Sequence, residues 1–182
     1  MRRLFPALGL ALLLGSVAIT GCDDNDYCDG GGPCECSGGS ECYFGCNDDG
    51  CRPFCHDVDR CGAVCEDDCR SECSHTQECS TSCGDDCSFR CHDMTACGVS
   101  CGKNCSFDCS HASRCGAIVG AGSTVRCAQH TTCEVVCEGA CDVECVGHCK
   151  VKCAEPGRCN VTCAGDKPLK TCGDGALGCG DC

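Results

Sequence analysis

The feature that most constrains this chain is the spacing of its cysteines. From Cys61 to Cys109 they repeat with a period of eighteen residues, as Cys-x3-Cys-x3-Cys-x3-Cys-x5. An earlier copy begins at Cys42 with one extra residue, and a later copy has Val119 and Ser123 in place of its two middle cysteines. Self-similarity at such a fixed period indicates a solenoid or another repeat array. We therefore predict a tandem-repeat domain over residues 42–163.

The residues between the cysteines predict strands. Each repeat divides into five-residue units, Cys-x-Φ-x-Cys, in which the centre is often Val or Phe, as in Cys87-Ser-Phe-Arg-Cys91 and Cys141-Asp-Val-Glu-Cys145. Cysteine and centre share one face at a period of two, as on a strand, whereas on a helix the centre would lie about 200° from the cysteine. The connectors of three and five residues are rich in Gly, Asp, Asn and Ser, which is typical of turns.

The predicted fold is all-β: a small disulfide-stapled repeat protein, built as a two-sheet β-solenoid of about 18 residues per coil. Cysteine and Val or Phe would point inward and charged residues outward. A row of disulfide-locked β-hairpins fits the same spacing and remains the alternative.

The composition shows why cross-links are needed. Only 18 Leu, Ile, Val and Phe residues follow residue 21, against 33 cysteines in a chain of 182 residues. So few large apolar residues do not form a sufficient core. This excludes ordinary enzyme scaffolds such as a (β/α)₈ barrel, whose interior is filled with apolar layers.

The N-terminus has the features of an export signal. Arg2 and Arg3 precede an apolar stretch over residues 4–18, which is too short to span a bilayer comfortably but suits a secretory signal peptide. It ends in Ile19-Thr20-Gly21-Cys22, which resembles the lipobox of bacterial lipoproteins. This resemblance implies that residues 1–21 are removed and that Cys22 carries the lipid that anchors the chain to a membrane of the bacterial cell envelope, facing the periplasm or the exterior. Residues 22–41 would be a lipid-anchored tether and residues 164–182 an irregular, cysteine-containing cap.

Export also indicates that the cysteines are oxidised, because disulfides persist outside the cytoplasm. Val119 and Ser123 replace the second and third cysteines of their repeat together, which predicts that these two positions pair wherever both are Cys. The predicted inner pairs are Cys46–Cys51, Cys65–Cys69, Cys83–Cys87, Cys101–Cys105, Cys137–Cys141 and Cys145–Cys149.

The remaining cysteines of each repeat would form outer pairs. These are Cys42–Cys55, Cys61–Cys73, Cys79–Cys91, Cys97–Cys109, Cys115–Cys127 and Cys133–Cys153. Bridges across the five-residue corners, such as Cys73–Cys79 and Cys91–Cys97, satisfy the same parity and stay open. The partners of eight further cysteines are left undetermined: Cys28, Cys34, Cys36, Cys159, Cys163, Cys172, Cys179 and Cys182.

Two sets of polar corner residues are candidate metal ligands. Histidines recur in the five-residue corners near Asp57 and Asp93, at positions that differ from corner to corner, and could bind Zn²⁺, Ni²⁺ or Cu²⁺. These histidines are His56, His75, His92, His111 and His130. Aspartates in adjacent three-residue corners (Asp67, Asp68, Asp85 and Asp86) could bind Ca²⁺. The alternative for both sets is that they are solvated turn residues inherited with the repeat.

The net charge and the absence of catalytic motifs restrict the functions that we expect for this chain. Removal of Arg2 and Arg3 with the leader makes the formal charge of −13 still more negative, which argues against nucleic acid as a partner. No nucleophile motif or phosphate loop is present, so we expect no enzyme; a thiol-redox role for Cys179-Gly-Asp-Cys182 is a remote alternative. The expected function is a lipid-anchored structural or adhesive scaffold of the cell envelope, with an envelope or extracellular protein or glycan as partner. An envelope metal-binding protein, using the His and Asp columns or free thiolates, is the alternative.

Overall fold

The repeat forms a two-sheet β-solenoid of about seven coils, with no helix among the described residues, which confirms the predicted fold class. The computed structural model describes residues 26–27, 33–128, 131–155 and 157–180. The predictions for Cys22, His130 and Cys182 lie outside these residues. The strands are β1 (Asp26–Tyr27), β2 (Pro33–Cys46), β3 (Arg52–Cys65), β4 (Arg70–Ser74), β5 (Glu78–Cys83), β6 (Ser88–Cys101), β7 (Ser106–Val119), β8 (Ser123–Cys127), β9 (Thr132–Cys137), β10 (Cys141–Cys145), β11 (His148–Cys153), β12 (Cys159–Cys163), β13 (Leu169–Thr171) and β14 (Leu177–Cys179).

Each coil contributes one strand segment to each of two parallel sheets. Sheet I contains β4, β8, β10, β12 and the first halves of β2, β3, β6 and β7. Sheet II contains β5, β9, β11 and the second halves of β2, β3, β6 and β7. The four long strands pass from sheet I to sheet II through a five-residue corner, and a three-residue corner leads back to the next coil. In the middle of the stack neighbouring coils are in register at an offset of eighteen residues, as in Cys73↔Cys91 and Cys91↔Cys109.

Burial alternates along the strands because successive side chains of a strand point to opposite faces. In β8 and β10 every second residue is buried. The centres of the five-residue units lie in the core between the sheets, as Val143 of sheet I and Val135 of sheet II do, and both are 2% exposed. The cysteines on either side of these centres are buried too, so the core is a thin apolar layer between columns of disulfides.

The disulfides confirm the inner pairs and correct the outer ones. All six predicted inner pairs are bridged, five of them across three-residue corners and Cys46–Cys51 across a four-residue corner. None of the six outer pairs forms. The bridges instead close the five-residue corners, as Cys36–Cys42, Cys55–Cys61, Cys73–Cys79, Cys91–Cys97, Cys109–Cys115 and Cys127–Cys133, and Cys153–Cys159 closes a later corner.

The physical reason lies in the stacking of the coils. An outer pair such as Cys61–Cys73 would connect two neighbouring coils diagonally. The sulfur atoms of Cys55, Cys61 and Cys73 lie within 4.8 Å of one another, but Cys73 is bridged to Cys79 across its own corner. Cys55 and Cys61 belong to one coil and face each other across its corner with a Cα–Cα distance of 6.3 Å, within the range for a bridge. Each corner is therefore closed by the two cysteines at its own ends.

The boundaries of the repeat domain also need correction. β2 begins at Pro33 and the bridge Cys36–Cys42 closes a five-residue corner, so residues 33–41 belong to the solenoid and not to a tether. At the other end β14 pairs antiparallel with β11 and with β13, and Cys163 is bridged to Cys179. The C-terminal segment is thus an ordered hairpin that covers the last strand of sheet II, as terminal caps of repeat proteins do.

The last full coil has exchanged corner lengths, which explains its closely spaced cysteines. Val146-Gly147-His148 takes the place of a five-residue corner, while residues 154–158 take the place of a three-residue corner. The register accordingly changes from Cys127↔Cys145 in sheet I to Cys133↔Cys149 in sheet II. Cys145 and Cys149 therefore close a shortened corner of this coil.

Candidate functional site at the five-residue corners

In four consecutive five-residue corners the second residue has a left-handed backbone conformation. The φ values are 55° at Asp57, 51° at His75, 57° at Asp93 and 51° at His111. Asp and His are among the few non-glycine residues that adopt this region readily. Because the flanking residues of consecutive coils are in register, these four residues form one column along the solenoid, called here the corner column.

The structure separates the predicted histidines into two columns. His75 and His111 are in the corner column, where they alternate with Asp57 and Asp93. His56 and His92 are one position earlier, where they alternate with Ser74 and Ser110. His148 is in the shortened corner and is aligned with Thr132 instead. Sequence spacing alone placed the histidines in one rough column and did not show this alternation.

The histidines of the earlier position each bridge two carboxylates. His56 Nδ1 lies 3.0 Å from Asp57 Oδ2 and its Nε2 lies 2.9 Å from Glu35 Oε1. These hydrogen bonds, with Asp57 first and Glu35 second, raise the pKa of His56 above its ordinary value, since both ring nitrogens then donate to carboxylates. The Phe54 ring lies beside His56, with the two ring centroids 5.0 Å apart.

The same arrangement returns two coils later. His92 Nδ1 lies 3.1 Å from Asp93 Oδ2, and its Nε2 lies 3.4 Å from Glu72 Oε1. The hydrogen bond from His92 lowers the pKa of Asp93, and the nearby His111 and His75 act in the same direction. Asp93 is therefore an ionised carboxylate surrounded by three imidazoles.

An open groove runs along the corner column. It has a volume of about 620 Å³ and is lined by Asp57, His75, Asp93 and His111, with Thr76 and Met94 among its other lining residues. Thr76 is 5% exposed, and its Oγ1 has no hydrogen-bond partner among the described residues. A buried polar atom without a partner is rare in folded proteins.

The aspartates of the three-residue corners have a structural role. Asp67 Oδ1 accepts the backbone N–H of Asp85 at 2.7 Å, and Asp85 Oδ1 accepts that of Lys103 at the same distance. Asp68 and Asp86 have left-handed backbones, with φ of 58° and 59°. The recurrence of Asp in these corners is thus explained by hydrogen bonding between coils and by backbone conformation, without reference to Ca²⁺.

The cysteines contribute no thiolate ligands in the part of the chain that the structure describes. Groups of three potential ligand atoms within 4.8 Å of one another consist there of cysteines alone. All cysteines among the described residues are in disulfides, and a disulfide offers no thiolate to a metal. Cys179, half of the proposed redox motif, is bridged to Cys163.

Sequence reasoning missed a column of alternating charges on sheet I. It consists of Glu72, Arg90, Asp108, Arg126 and Glu144, which are in register on consecutive coils. Arg126 Nε lies 3.6 Å from Glu144 Oε2, and opposite charges on adjacent strands stabilise a sheet. An alignment of the repeats, compared position by position from coil to coil, would have shown this charged column.

Comparison with protein-family models, with curated proteins and with solved structures finds no match to this chain. Among the described residues, no helix has the length and apolarity needed to cross a bilayer. The site must therefore be interpreted from its own geometry.

Proposed function

We propose that this chain is a lipid-anchored structural or adhesive scaffold of the bacterial cell envelope. The observation that carries the proposal is the cross-linking of nearly every corner: fourteen bridges connect described residues, and thirteen of them span only four to six positions in sequence. Such bridges restrict each coil separately and make the rod independent of a large apolar core.

The outward faces support the proposal. The two sheets are stacks of parallel strands, so each outward position becomes a regular column along the rod, about 4.8 Å per coil. Sheet I presents the charged column that includes Arg90 and Arg126, whereas sheet II presents small residues such as Ser80, Gly98 and Gly116 in register. Two flat faces of different chemistry suit a scaffold that binds one partner and faces solvent with the other.

The anchoring part of the proposal rests on the lipobox-like sequence that ends at Cys22. Full-length chain expressed in bacteria grown with an alkyne-tagged fatty acid should carry the tag and sediment with membranes. The C22S variant should lose the tag and leave the membrane fraction. Labelling of C22S equal to that of the unchanged protein would contradict lipidation at this residue.

The scaffold part is tested with a photo-crosslinking residue introduced on one sheet at a time in intact cells. Ser88 on sheet I and Ser100 on sheet II are both exposed, so replacement should leave the core unchanged. We expect crosslinks to a protein or glycan of the envelope from one of the two positions. If neither position gives a crosslink on intact cells, while both proteins resist protease until they are reduced, the adhesive role is wrong and the rod has no bound partner.

A further inference from the structure

The corner column combines, on neighbouring coils, two kinds of ligand that transition metals prefer. Its residues alternate between carboxylate and imidazole: Asp57, His75, Asp93 and His111. Parallel strands are roughly 4.8 Å apart, so His75 and His111 are about two strand spacings from each other, with Asp93 midway between them. Since all four residues share a left-handed backbone, their side chains leave the solenoid in the same direction and line the same groove.

The contacts around Asp93 place imidazoles on both sides of its carboxylate. Asp93 Oδ1 lies 4.0 Å from His111 Nδ1 on the following coil. On the preceding coil, the ring of His75 is 6.2 Å from that of His92, which itself contacts Asp93. The His111 side chain is 75% exposed, so it has room to change rotamer and to direct a ring nitrogen toward the groove.

We propose that His75, Asp93 and His111 together bind one divalent transition-metal ion of the Zn²⁺ class in this groove. Two imidazole nitrogens and one carboxylate oxygen are a ligand set found in zinc sites, and water supplies the fourth position. Zinc–ligand bonds of about 2.0 Å added to the length of a histidine side chain allow both rings to reach an ion beside the Asp93 carboxylate. Mixed nitrogen and oxygen ligands favour such ions over Ca²⁺, which is bound by oxygen alone.

The surrounding residues support the site. His92 donates a hydrogen bond to Asp93 Oδ2 and is itself hydrogen-bonded to Glu72. The other oxygen of Asp93, Oδ1, therefore stays available to a ligand in the groove. A ligating carboxylate that is fixed by such a hydrogen bond is typical of metal sites. The Asp57 carboxylate adds negative charge to the groove, and the unpartnered Thr76 Oγ1 is adjacent to His75 in its lining.

The test uses the full chain, purified in detergent without reduction and without a polyhistidine tag, and freed of metal with a chelator. Titration with Zn²⁺ in a calorimeter should give one site per chain, and Ca²⁺ under the same conditions should give no heat of binding. Substitution by Asn is the best variant, because Asn tolerates the left-handed backbone and removes the imidazole or the carboxylate. Each of H75N, D93N and H111N should weaken Zn²⁺ binding by about tenfold or more.

H148N is the matched control, since His148 is outside the corner column and should leave the affinity unchanged. Imidazole signals in ¹H–¹⁵N spectra give a second readout: Zn²⁺ should shift those of His75 and His111 and leave that of His148 in place. Stoichiometric binding by H75N/H111N with unchanged affinity would overturn the proposal, as would the absence of Zn²⁺ binding by the unchanged protein. Disulfide mapping of each variant shows whether the fold was preserved.

Discussion

Val119 and Ser123 stand where the other repeats have two bridged cysteines. Introducing a bridge between them directly tests the register between neighbouring coils. Val119 is in register with Cys101 on one side and with Cys137 on the other, and Ser123 is in register with Cys141. The bridges on either side, Cys101–Cys105 and Cys137–Cys141, have Cα–Cα distances of 6.5 and 6.1 Å. In the variant V119C/S123C the two new cysteines should therefore pair with each other.

The expected stability follows from three contributions. Closing a loop this short stabilises the folded chain by about 2 kcal/mol in the chain-entropy account. The Ser123 hydroxyl now accepts the buried N–H of Cys105 at 3.0 Å, and its removal costs about 1 kcal/mol. Val119, which is fully buried, loses methyl contacts worth about 1 kcal/mol that the sulfur replaces only in part. The oxidised variant should thus be about as stable as the unchanged protein.

The control V119A/S123A loses the same contacts without gaining the bridge, and should be less stable than the oxidised variant by about 2 kcal/mol or more. Coils of a solenoid open locally, so amide hydrogen exchange in β7 and β8 is the appropriate measurement. Intact mass and unreduced peptide mapping establish the bridge. A link from residue 119 or 123 to a cysteine of a neighbouring coil, or two thiols that stay free under oxidation, would refute the register.

Three further predictions rest on single residues. An added Cβ at Gly120 would lie 2.5 Å from a backbone oxygen, whereas at Gly98 the nearest atom is 4.0 Å away. G120A should therefore destabilise the protein by about 1–3 kcal/mol in thermal unfolding, while G98A should have little effect. Equal effects of the two substitutions would contradict the stacking of the coils. T76V removes the buried hydroxyl that has no partner and should stabilise the coil by about 1 kcal/mol by the same measure; a loss of stability would show that the hydroxyl is satisfied. NMR titration should give His56 a pKa above 6.5, and this pKa should fall in the variant D57N. Because the pKa is raised in the folded state, the contribution of His56 to stability is complete below about pH 6.5 and disappears as the pH rises through the raised value.

The sequence was sufficient for the fold because its period and its alternation agree. Residues such as Val135 and Val143 share a face with the cysteines on either side, and that pattern indicates strands and excludes helices. The inner bridges followed from Val119 and Ser123 because two positions that change together across one short corner indicate one lost bond. The outer bridges could not be obtained in this way, since pairing across the five-residue corners and pairing of the outer cysteines satisfy the same parity in the sequence.

The candidate site was only partly predictable for a different reason. The histidines were evident in the sequence, but their partners are set by register. Glu35, which contacts His56, is 21 positions away in the chain, and Glu72 is 20 positions from His92. Neither separation equals the eighteen-residue period, so a search for residues one period apart passes over both contacts.

The corners repeat with twice the period of the backbone, and this doubling explains their chemistry. The backbone returns every eighteen residues, but the corner pairs alternate between His-Asp at residues 56–57 and 92–93 and Ser-His at residues 74–75 and 110–111. If every coil carried His-Asp, carboxylates would stack on carboxylates at about 4.8 Å, and like charges directly opposite each other destabilise a sheet. The alternation places each carboxylate of the corner column beside imidazoles instead. It therefore removes a repulsion and, in the same step, brings nitrogen and oxygen ligands together in one groove.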